Sequence, residues 1–437
     1  MLKRVLTLLL AMTVCPTALA ETAGFPAPSA LPETEGLPEL MRMSDGTPVT
    51  TAADWEKRRA ELLALYSEYM YGWWPDPAGE RVTWTLDTEP ETGCPLLTVS
   101  VAAGEKTASF SVLVALPEGA PPEGGFPWYL EYTPWHFQNW ITKEWMTAVP
   151  ANCLYAASRG YAGISYDCSQ VAQDAATWWG AFYTLYPYER FNGDPRTQRG
   201  TLLAWAWGVS KVIDALENGA GEALGINPAL SVVGGVSRYG KSVAVAAAYE
   251  PRIRVAVPSC SGAGGVAVYR MGNHGKTYDL TGLGGSAAWT NDSQNEPFGN
   301  LKGGEGYWFC GNFKSIATVR NLPVDQHMLC ALAAGPDRHL IIVTGIESEG
   351  WNNTEGQCLA YAAAKPAWEL LGCGDQIRML IHLNGHAILP EDIRQILDYC
   401  DAKLLGREDV RVAPMDGSLF LVDNRDKLDP LFAPYLP

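Results

Sequence analysis

Charged residues, histidine and clustered cysteines are all scarce in this sequence, and each shortage excludes a class of protein. Charged residues make up 18% of the 437 residues and hydrophobic residues 47%, so the chain can build a folded core and is not intrinsically disordered. No C-x-x-C pair occurs, and no His/Cys cluster has the spacing of a zinc site. We therefore expect no zinc site, and nothing else in the sequence implies a metal or a cofactor.

Basic residues are also in short supply. The chain has 32 Lys and Arg against 48 Asp and Glu, a formal net charge of −16. Such an acidic protein is repelled by nucleic acid and by anionic membranes, so we expect neither as the main partner. The sequence does not determine the oligomeric state, and a monomer is expected.

The N-terminus has the pattern of a secretory signal peptide. Lys3 and Arg4 precede a short apolar stretch, residues 5–14, and small residues in Ala18-Leu19-Ala20 mark a cleavage site. The apolar stretch is too short to span a bilayer, and no later stretch reaches about 18 uninterrupted apolar residues. The sequence thus predicts that residues 1–20 are a signal peptide, that the protein is secreted (extracellular or periplasmic), and that it has no membrane span.

The rest of the chain is expected to form one domain. Residues 21–50 begin with a segment rich in Pro, Gly and Glu and are interpreted as a tail or an extended lead-in, whereas residues 51–437 form a single catalytic domain. Nine cysteines remain after cleavage, an odd number at irregular spacings. This pattern favours buried free thiols over a disulfide framework, and one or two bridges remain open.

Strand-like apolar runs and helical patterns alternate through most of the chain. A helix at 55–71 precedes alternating segments at 83–86, 96–102 and 108–116, which predict an antiparallel sheet edge. Further strands are predicted at 128–132, 161–166, 230–234, 255–258, 340–344 and 378–383. Further helices are predicted at 202–216, 241–249, 359–371 and 390–405, the first of them ending at Asn218-Gly219. Strands that alternate with helices imply a mainly parallel central sheet covered on both faces, a three-layer α/β sandwich. Residues 273–306, rich in Gly, Asn and Ser, are expected to form a long insertion over the sheet.

The most specific local motif is G-V-S-R-Y-G-K at residues 235–241, between a predicted strand and an Ala-rich helix. A nucleophile elbow needs this context, because the tight turn exposes the Ser237 hydroxyl and the helix N-terminus presents N–H groups to an oxyanion. The pattern G-x-S-x-x-G is one residue longer than the usual elbow. An ordinary strand-to-helix turn, with Ser237 as a helix N-cap, is the alternative.

A serine nucleophile needs a base and an acid that orients it. In α/β-hydrolases these follow in the order Ser, acid, His, after later strands. His386 comes directly after the last predicted strand and is the best placed of the six histidines. Glu347 and Glu349 follow the strand at 340–344, where the acid is expected.

The motif at 235–241 resembles the G-x-S-R-x-G-K signature of the glucuronoyl esterases. These are α/β-hydrolases that cleave esters of 4-O-methyl-glucuronic acid, which link glucuronoxylan to lignin. The resemblance extends from about residue 55 to the C-terminus, and residues 307–313 and 322–329 resemble the bacterial branch. It includes residues 204–208, 261–265, 351–356 and the Gly385-His386 pair. Several motifs in one order are a far more specific signal than the elbow alone.

The resemblance implies a serine-type carboxylic ester hydrolase that works through an acyl-enzyme. Ser237 would be the nucleophile and His386 the base. Arg238 would lie at the oxyanion, where a fixed positive charge stabilises the tetrahedral intermediate. Lys241 would bind hydroxyls of the uronate ring, and Trp351 would pack against that ring.

The sequence also departs from the family pattern. Many members carry a catalytic Glu after the strand that follows the elbow, and Cys260 occupies that position here. Some bacterial members use an acid two residues before the loop Trp, which gives Glu349, with Glu347 as second choice. Glu305 is a weaker candidate for contact with the sugar.

Two other functions stay open at this point. The same fold would serve an acetyl or feruloyl esterase on plant polysaccharide. Alternatively, the loss of the acid at Cys260 would suit a catalytically degenerate, carbohydrate-binding homologue.

Overall fold

The computed structural model describes residues 24–139, 141–347 and 350–435. The predicted signal peptide, residues 1–20, and the candidate acid Glu349 lie outside these ranges. In the described part of the chain, no helix is long and apolar enough to cross a membrane.

The described strands form one large sheet and two short hairpins. In chain order they are β1 (Glu80–Thr88), β2 (Pro95–Ala103), β3 (Lys106–Ala115), β4 (Phe126–Glu131), β5 (His136–Gln138), β6 (Trp145–Thr147), β7 (Ala162–Tyr166), β8 (Ile226–Val236), β9 (Val255–Ser259), β10 (Thr277–Tyr278), β11 (Trp289–Thr290), β12 (His339–Glu347) and β13 (Ile377–Asn384). The large sheet has the order β1-β2-β3-β7-β4-β8-β9-β12-β13, and the hairpins are β5-β6 and β10-β11.

The large sheet has an antiparallel edge and a parallel centre, as the sequence predicts. Strands β1, β2, β3 and β7 pair antiparallel, and each pairing from β7 through β4 and β8 to β13 is parallel. The described residues of β4, β7 and β9 are buried throughout. Strands covered on both faces read as continuous apolar runs, which is why these three were recognisable from sequence.

Helices cover both faces of this sheet. They are α1 (Ala52–Tyr66), α2 (Ala151–Ser158), α3 (Ala181–Leu185), α4 (Thr201–Ala215), α5 (Gly221–Leu224), α6 (Arg238–Tyr249), α7 (Phe298–Lys302), α8 (Gly311–Ser315), α9 (Gln326–Leu332), α10 (Thr354–Leu370), α11 (Pro390–Lys403) and α12 (Ser418–Asp423). Successive strand residues point to opposite faces. Accordingly, Val233 and Ala256 pack in the core that includes α4, α6 and α10, whereas Val232 and Val255 pack in the core that includes α2 and α11. The three-layer α/β-hydrolase architecture expected from the sequence is confirmed.

The helix predicted at 202–216 is α4 (Thr201–Ala215), and its predicted stop at Asn218-Gly219 is confirmed, because both residues leave helical backbone and Gly219 has φ 102°. A glycine adopts positive φ at little steric cost, and the short helix α5 begins two residues later. The insertion at 273–306 contains β10, β11 and α7, which are too short to leave a periodic signal in the sequence.

The N-terminal segment and the cysteines pack as parts of the same body. Leu31, Leu40 and Val49 are buried in the main core. All nine cysteines of the described residues are free thiols, and eight of them are buried. The free-thiol interpretation is therefore confirmed for these residues.

Candidate active site

Four candidate residues lie at the carboxyl edge of the parallel sheet. Ser237 follows β8, Cys260 follows β9, Glu347 ends β12, and His386 lies just beyond β13. Because these strands are parallel neighbours, their carboxyl ends meet at one edge, where open α/β sheets bind ligands. The structure thus brings the predicted nucleophile and base to the same side of the molecule.

Ser237 has the backbone of a nucleophile elbow. Its φ of 61° and ψ of −127° are rare for a residue with a side chain. The turn is held on both sides, because the Ser237 N–H donates to Ser259 O at 2.9 Å and the Lys241 N–H donates to Ser237 O at 3.0 Å. α6 begins at the next residue, so the unpaired N–H groups of its first turn face the serine.

The extra residue in the motif is explained by close packing between α6 and β9. A Cβ at Gly240 would lie 2.6 Å from Ser259 O and 2.9 Å from Gly235 O. The second glycine of the motif is therefore needed at 240 rather than at 239. Tyr239, in the intervening position, packs its ring against Tyr132 and Trp205.

Arg238, the candidate oxyanion residue, is held by a carboxylate that the sequence analysis did not identify. Its Nη1 donates to Asp174 Oδ2 at 2.6 Å. The same carboxylate accepts from Tyr307 Oη at 2.8 Å and from Trp308 Nε1 at 2.9 Å. The guanidinium also lies over the Trp308 ring, 5.3 Å from its centroid. Three side chains from two distant parts of the sequence, Asp174 and the adjacent Tyr307 and Trp308, thus fix one cation beside Ser237.

The Arg238 side chain remains accessible despite these contacts. It is 44% exposed, so it can reach a bound ligand. Partial burial alone would lower the pKa of Arg238, but the bond and the charge of Asp174 outweigh it and raise that pKa above its ordinary value. The charge needed for an oxyanion is therefore permanent.

Lys241, the candidate hydroxyl-binding residue, is buried and fully engaged. Its side chain is 3% exposed, and Nζ donates to Glu296 Oε2 at 2.6 Å and to the carbonyl oxygens of Ser261 and Ala263 at 2.7 Å each. An ammonium has three N–H donors, so a sugar hydroxyl would have to displace one of these partners. In this structure Lys241 organises the wall of the site.

Two carboxylates accompany Lys241. Burial raises the pKa of Glu296, and the Lys241 ammonium offsets part of that effect, while the charge of nearby Glu305 adds to it. Glu305 carries a buried Oε2 without a hydrogen-bond partner in the described part of the chain. A buried carboxylate oxygen of this kind is suited to accept from a ligand hydroxyl.

Trp351 borders the same region. Its side chain is partly accessible, at 39% exposure, and its carbonyl oxygen accepts from the Glu296 N–H at 3.2 Å. The backbone therefore ties the Trp351 loop to the segment that carries Glu296. An accessible indole in this position offers a flat apolar face to a ring.

The structure describes the candidate base but only one of the two candidate acids. His386 is exposed and lies on the loop between β13 and α11. Glu347 is half-buried and its Cα pairs with that of Asn384, two residues before His386, in the β12–β13 register. The first-choice acid, Glu349, lies outside the described residues. The choice between the two glutamates therefore stays a prediction.

Cys260, in the position of the acid in many family members, is buried and in an unusual backbone conformation with φ 45°. Its Sγ lies 3.7 Å from Ala387 O, in the loop that carries His386. The thiol also contacts His382, a histidine within β13. Its neighbours are therefore the histidine loop and a second imidazole.

An aromatic cavity of about 520 Å³ opens at the carboxyl ends of β4 and β7. Its aromatic lining consists of Tyr132, Trp135, His136, Phe137, Trp145, Tyr166 and Tyr239. Trp145 is largely exposed and stacks on His136, with ring centroids 5.0 Å apart. Since Tyr239 lies two residues after Ser237, the cavity adjoins the elbow.

Three side chains that contact the candidate residues were missed because their partners are distant in sequence. Asp174, Glu296 and His382 belong to no motif, and only the folded chain shows that they contact Arg238, Lys241 and Cys260 respectively. Across the described ranges, no group of three or more His, Cys, Asp or Glu side chains could hold a metal ion.

The sheet order and the elbow after β8 define an α/β-hydrolase. Comparison with known proteins narrows this class. A family model described as glucuronyl esterase of fungi matches residues 99–372. A 4-O-methyl-glucuronoyl methylesterase of Schizophyllum commune is 32% identical over 72% of this chain and 70% of its own length. The chain belongs to the glucuronoyl esterase family of carboxylic ester hydrolases.

Two further proteins that are similar to this chain come from bacteria. A multidomain esterase of Ruminococcus flavefaciens is 39% identical over 94% of this chain, which spans about half (52%) of that relative. The solved structure of a carbohydrate esterase family 15 glucuronoyl esterase from Caldicellulosiruptor kristjansonii superposes with a TM-score of 0.77 at 35% identity. That match covers 92% of this chain and 97% of the other.

The buried Lys241–Glu296 pair gives a prediction about stability. Lys241→Met would leave the Glu296 carboxylate buried without its cation, and loss of one partner of a buried pair costs about 3–5 kcal/mol in free energy of unfolding. The further change Glu296→Gln removes the stranded charge, so the double variant should lose less than the two single variants together. Urea denaturation of the four proteins measures this coupling. Strictly additive losses would show that the pair does not interact.

Proposed function

We propose that this protein hydrolyses esters of glucuronic acid or 4-O-methyl-glucuronic acid, with Ser237 as the nucleophile. The observation that carries the proposal is the strained backbone of Ser237 directly before α6, with Arg238 held beside it by Asp174. A non-glycine residue is kept in such a conformation where the strain serves a function. The names of the relatives indicate the substrate class.

In the acylation half-reaction, Ser237 Oγ attacks the ester carbonyl carbon and its proton passes to the His386 imidazole. The tetrahedral oxyanion forms next to the Arg238 guanidinium and the first N–H groups of α6, which stabilise it. When the intermediate collapses, the carbon–oxygen bond to the alcohol breaks. The alcohol leaves with the proton from His386, and the glucuronoyl group remains as an ester on Ser237.

Deacylation repeats these steps with water as the nucleophile. His386 takes one proton from the water while the oxygen attacks the acyl carbon. Collapse breaks the bond to Ser237 Oγ, which recovers its proton from His386, and the uronic acid leaves. Either Glu349 or Glu347 holds the imidazole in the required tautomer and stabilises its charged form.

The aromatic cavity suits the alcohol half of an ester that links glucuronoxylan to lignin. Lys241, Glu296, Glu305 and Trp351 form a polar wall with one exposed indole, as sugar recognition requires. The cavity beside Tyr239 is lined by aromatic rings, which stack on aromatic alcohols. We therefore place the uronate on the side of the elbow that carries Lys241 and Trp351, and the alcohol in the aromatic cavity on the other side.

Secretion is part of the same proposal. Its support is the N-terminal pattern of a signal peptide in residues 1–20 and the polymeric nature of the proposed substrate. The substrate lies in plant cell walls, outside the cell that produces the enzyme.

The first test is hydrolysis of benzyl glucuronate by the purified protein and by Ser237→Ala. Loss of the nucleophile should lower kcat by at least about 10⁴-fold, because the remaining triad residues act only through it. p-Nitrophenyl acetate and a feruloyl ester serve as comparison substrates. Faster turnover of either would assign the site to another carbohydrate esterase. Sugar binding that survives Ser237→Ala, without turnover of any ester, would establish the degenerate homologue.

The two candidate acids can be separated by a matched pair of variants. Glu349→Gln should lower kcat by about 10²- to 10⁴-fold, since a neutral partner permits the wrong tautomer of His386. If Glu349 is the acid, Glu347→Gln should leave kcat within about threefold of the original, as expected for a substitution away from the catalytic groups. If Glu347→Gln lowers kcat and Glu349→Gln does not, the acid is Glu347, at the end of β12.

Trp145 tests the position of the alcohol. Because aromatic stacking contributes about 0.5–1.5 kcal/mol, Trp145→Ala should raise KM for benzyl glucuronate by about 2- to 10-fold. KM for methyl glucuronate should not change, since that ester has no ring to stack. Trp179→Ala is the matched control, because Trp179 is equally exposed and does not line the cavity. An equal rise in KM for both esters would show that the alcohol does not bind in the cavity.

A further inference from the structure

Three buried side chains surround the loop that carries His386. Cys260 follows β9, His382 lies within β13, and Asp392 is in the first turn of α11. His382 Nδ1 donates to Asp392 Oδ2 at 2.8 Å. The His382 and Asp392 side chains are 9% and 4% exposed, and Cys260 is buried with them.

Each of these side chains also bonds to the backbone of the loop, residues 385–389. His382 Nε2 donates to Gly385 O at 3.1 Å, and Cys260 Sγ–H donates to Ala387 O at 3.7 Å. The Leu389 N–H donates to Asp392 Oδ2 at 2.7 Å. The loop is therefore held at three alternate residues, two of which are the immediate neighbours of His386.

The hydrogen bonds require a charged imidazole at position 382. Both ring nitrogens face acceptors, a carboxylate and a carbonyl oxygen, and neutral imidazole has only one N–H to donate. Burial alone would lower the pKa of His382, but the hydrogen bond to Asp392 and the charge of that carboxylate outweigh it and raise that pKa above its ordinary value. The cation is balanced by the Asp392 carboxylate, so the cluster holds the loop with two charge-assisted bonds and one thiol bond.

We propose that Cys260, His382 and Asp392 form a positioning cluster that fixes the backbone on both sides of His386. Many family members have the carboxylate of the catalytic acid at this position, whereas Cys260 supplies a thiol that bonds to the backbone of the loop. Cys260 affects catalysis only by holding His386 in place. The inference rests on the proposed function for the identity of His386 as the base, and on the hydrogen bonds to Gly385, Ala387 and Leu389 for the anchors.

The cluster predicts a defined effect on turnover. A base displaced by a fraction of an ångström loses rate without losing substrate affinity, so Cys260→Ala should lower kcat for benzyl glucuronate by about 10- to 100-fold and change KM by less than about twofold. Cys260→Ser keeps a donor at the same position and should recover kcat to within about threefold of the original. His382→Gln and Asp392→Asn should resemble Cys260→Ala.

Cys400→Ala is the matched control. Cys400 is another buried free thiol, on α11 in the core that lies under this cluster, and its removal costs similar packing. The Cys400→Ala variant should leave kcat within about twofold of the original. A loss of packing at Cys400 does not move the loop that carries His386, because the two sites are separate. Equal losses of kcat in Cys260→Ala and Cys400→Ala, or no recovery in Cys260→Ser, would overturn the proposal.

Amide hydrogen exchange tests the anchors without any substrate. Exchange in a peptide that covers residues 385–389 should be faster in Cys260→Ala and Asp392→Asn than in the original protein, and unchanged in Cys400→Ala. Unchanged exchange in the first two variants would refute the cluster. If benzyl glucuronate is not turned over, the proposed substrate is wrong, whereas this exchange result still decides whether the three side chains hold the loop.

Discussion

The chemistry proposed for this protein depends on the hydrogen bond between the Ser237 N–H and Ser259 O. The conformation of Ser237 costs on the order of 1–3 kcal/mol for a residue with a side chain. It persists because β8 and β9 are paired in parallel up to Val236 and Ser259, so the acceptor oxygen is already in place where the turn begins. Gly240 lets α6 approach that same oxygen. The position of the Ser237 hydroxyl at the start of α6 is therefore a consequence of strand register.

The two cations next to the elbow have different roles, and burial separates them. Arg238 and Lys241 both lie over the Trp308 ring, and each is paired with one carboxylate. Arg238 is partly exposed and can meet a developing negative charge. Lys241 is buried with all its donors engaged, so it draws the backbone after β9 toward Glu296. The protein has a net charge of −16. Lys241 is buried with its carboxylate, whereas the Arg238 guanidinium remains accessible, so the site still presents a positive charge.

Local patterns in the sequence predict the sheet, the elbow and the place of His386, because strand periodicity and tight turns depend on neighbouring residues. The partners of the site residues do not follow from such patterns. Asp174 lies 64 residues before Arg238, and Glu296 lies in an insertion without regular periodicity. Their contacts arise only when the loops after β7 and β9 fold over one edge of the sheet.

The thiol at position 260 is consistent with its electrostatic surroundings. His382 and Asp392 already form a buried pair of opposite charges, so the cluster is neutral as long as residue 260 is neutral. A carboxylate there would add an uncompensated buried charge and would point at the carbonyl oxygen of Ala387, which has no proton to offer. A thiol supplies a donor without a charge. The carboxylate that a base such as His386 requires is then expected one strand further along the sheet, at the end of β12, where Glu347 lies and Glu349 follows.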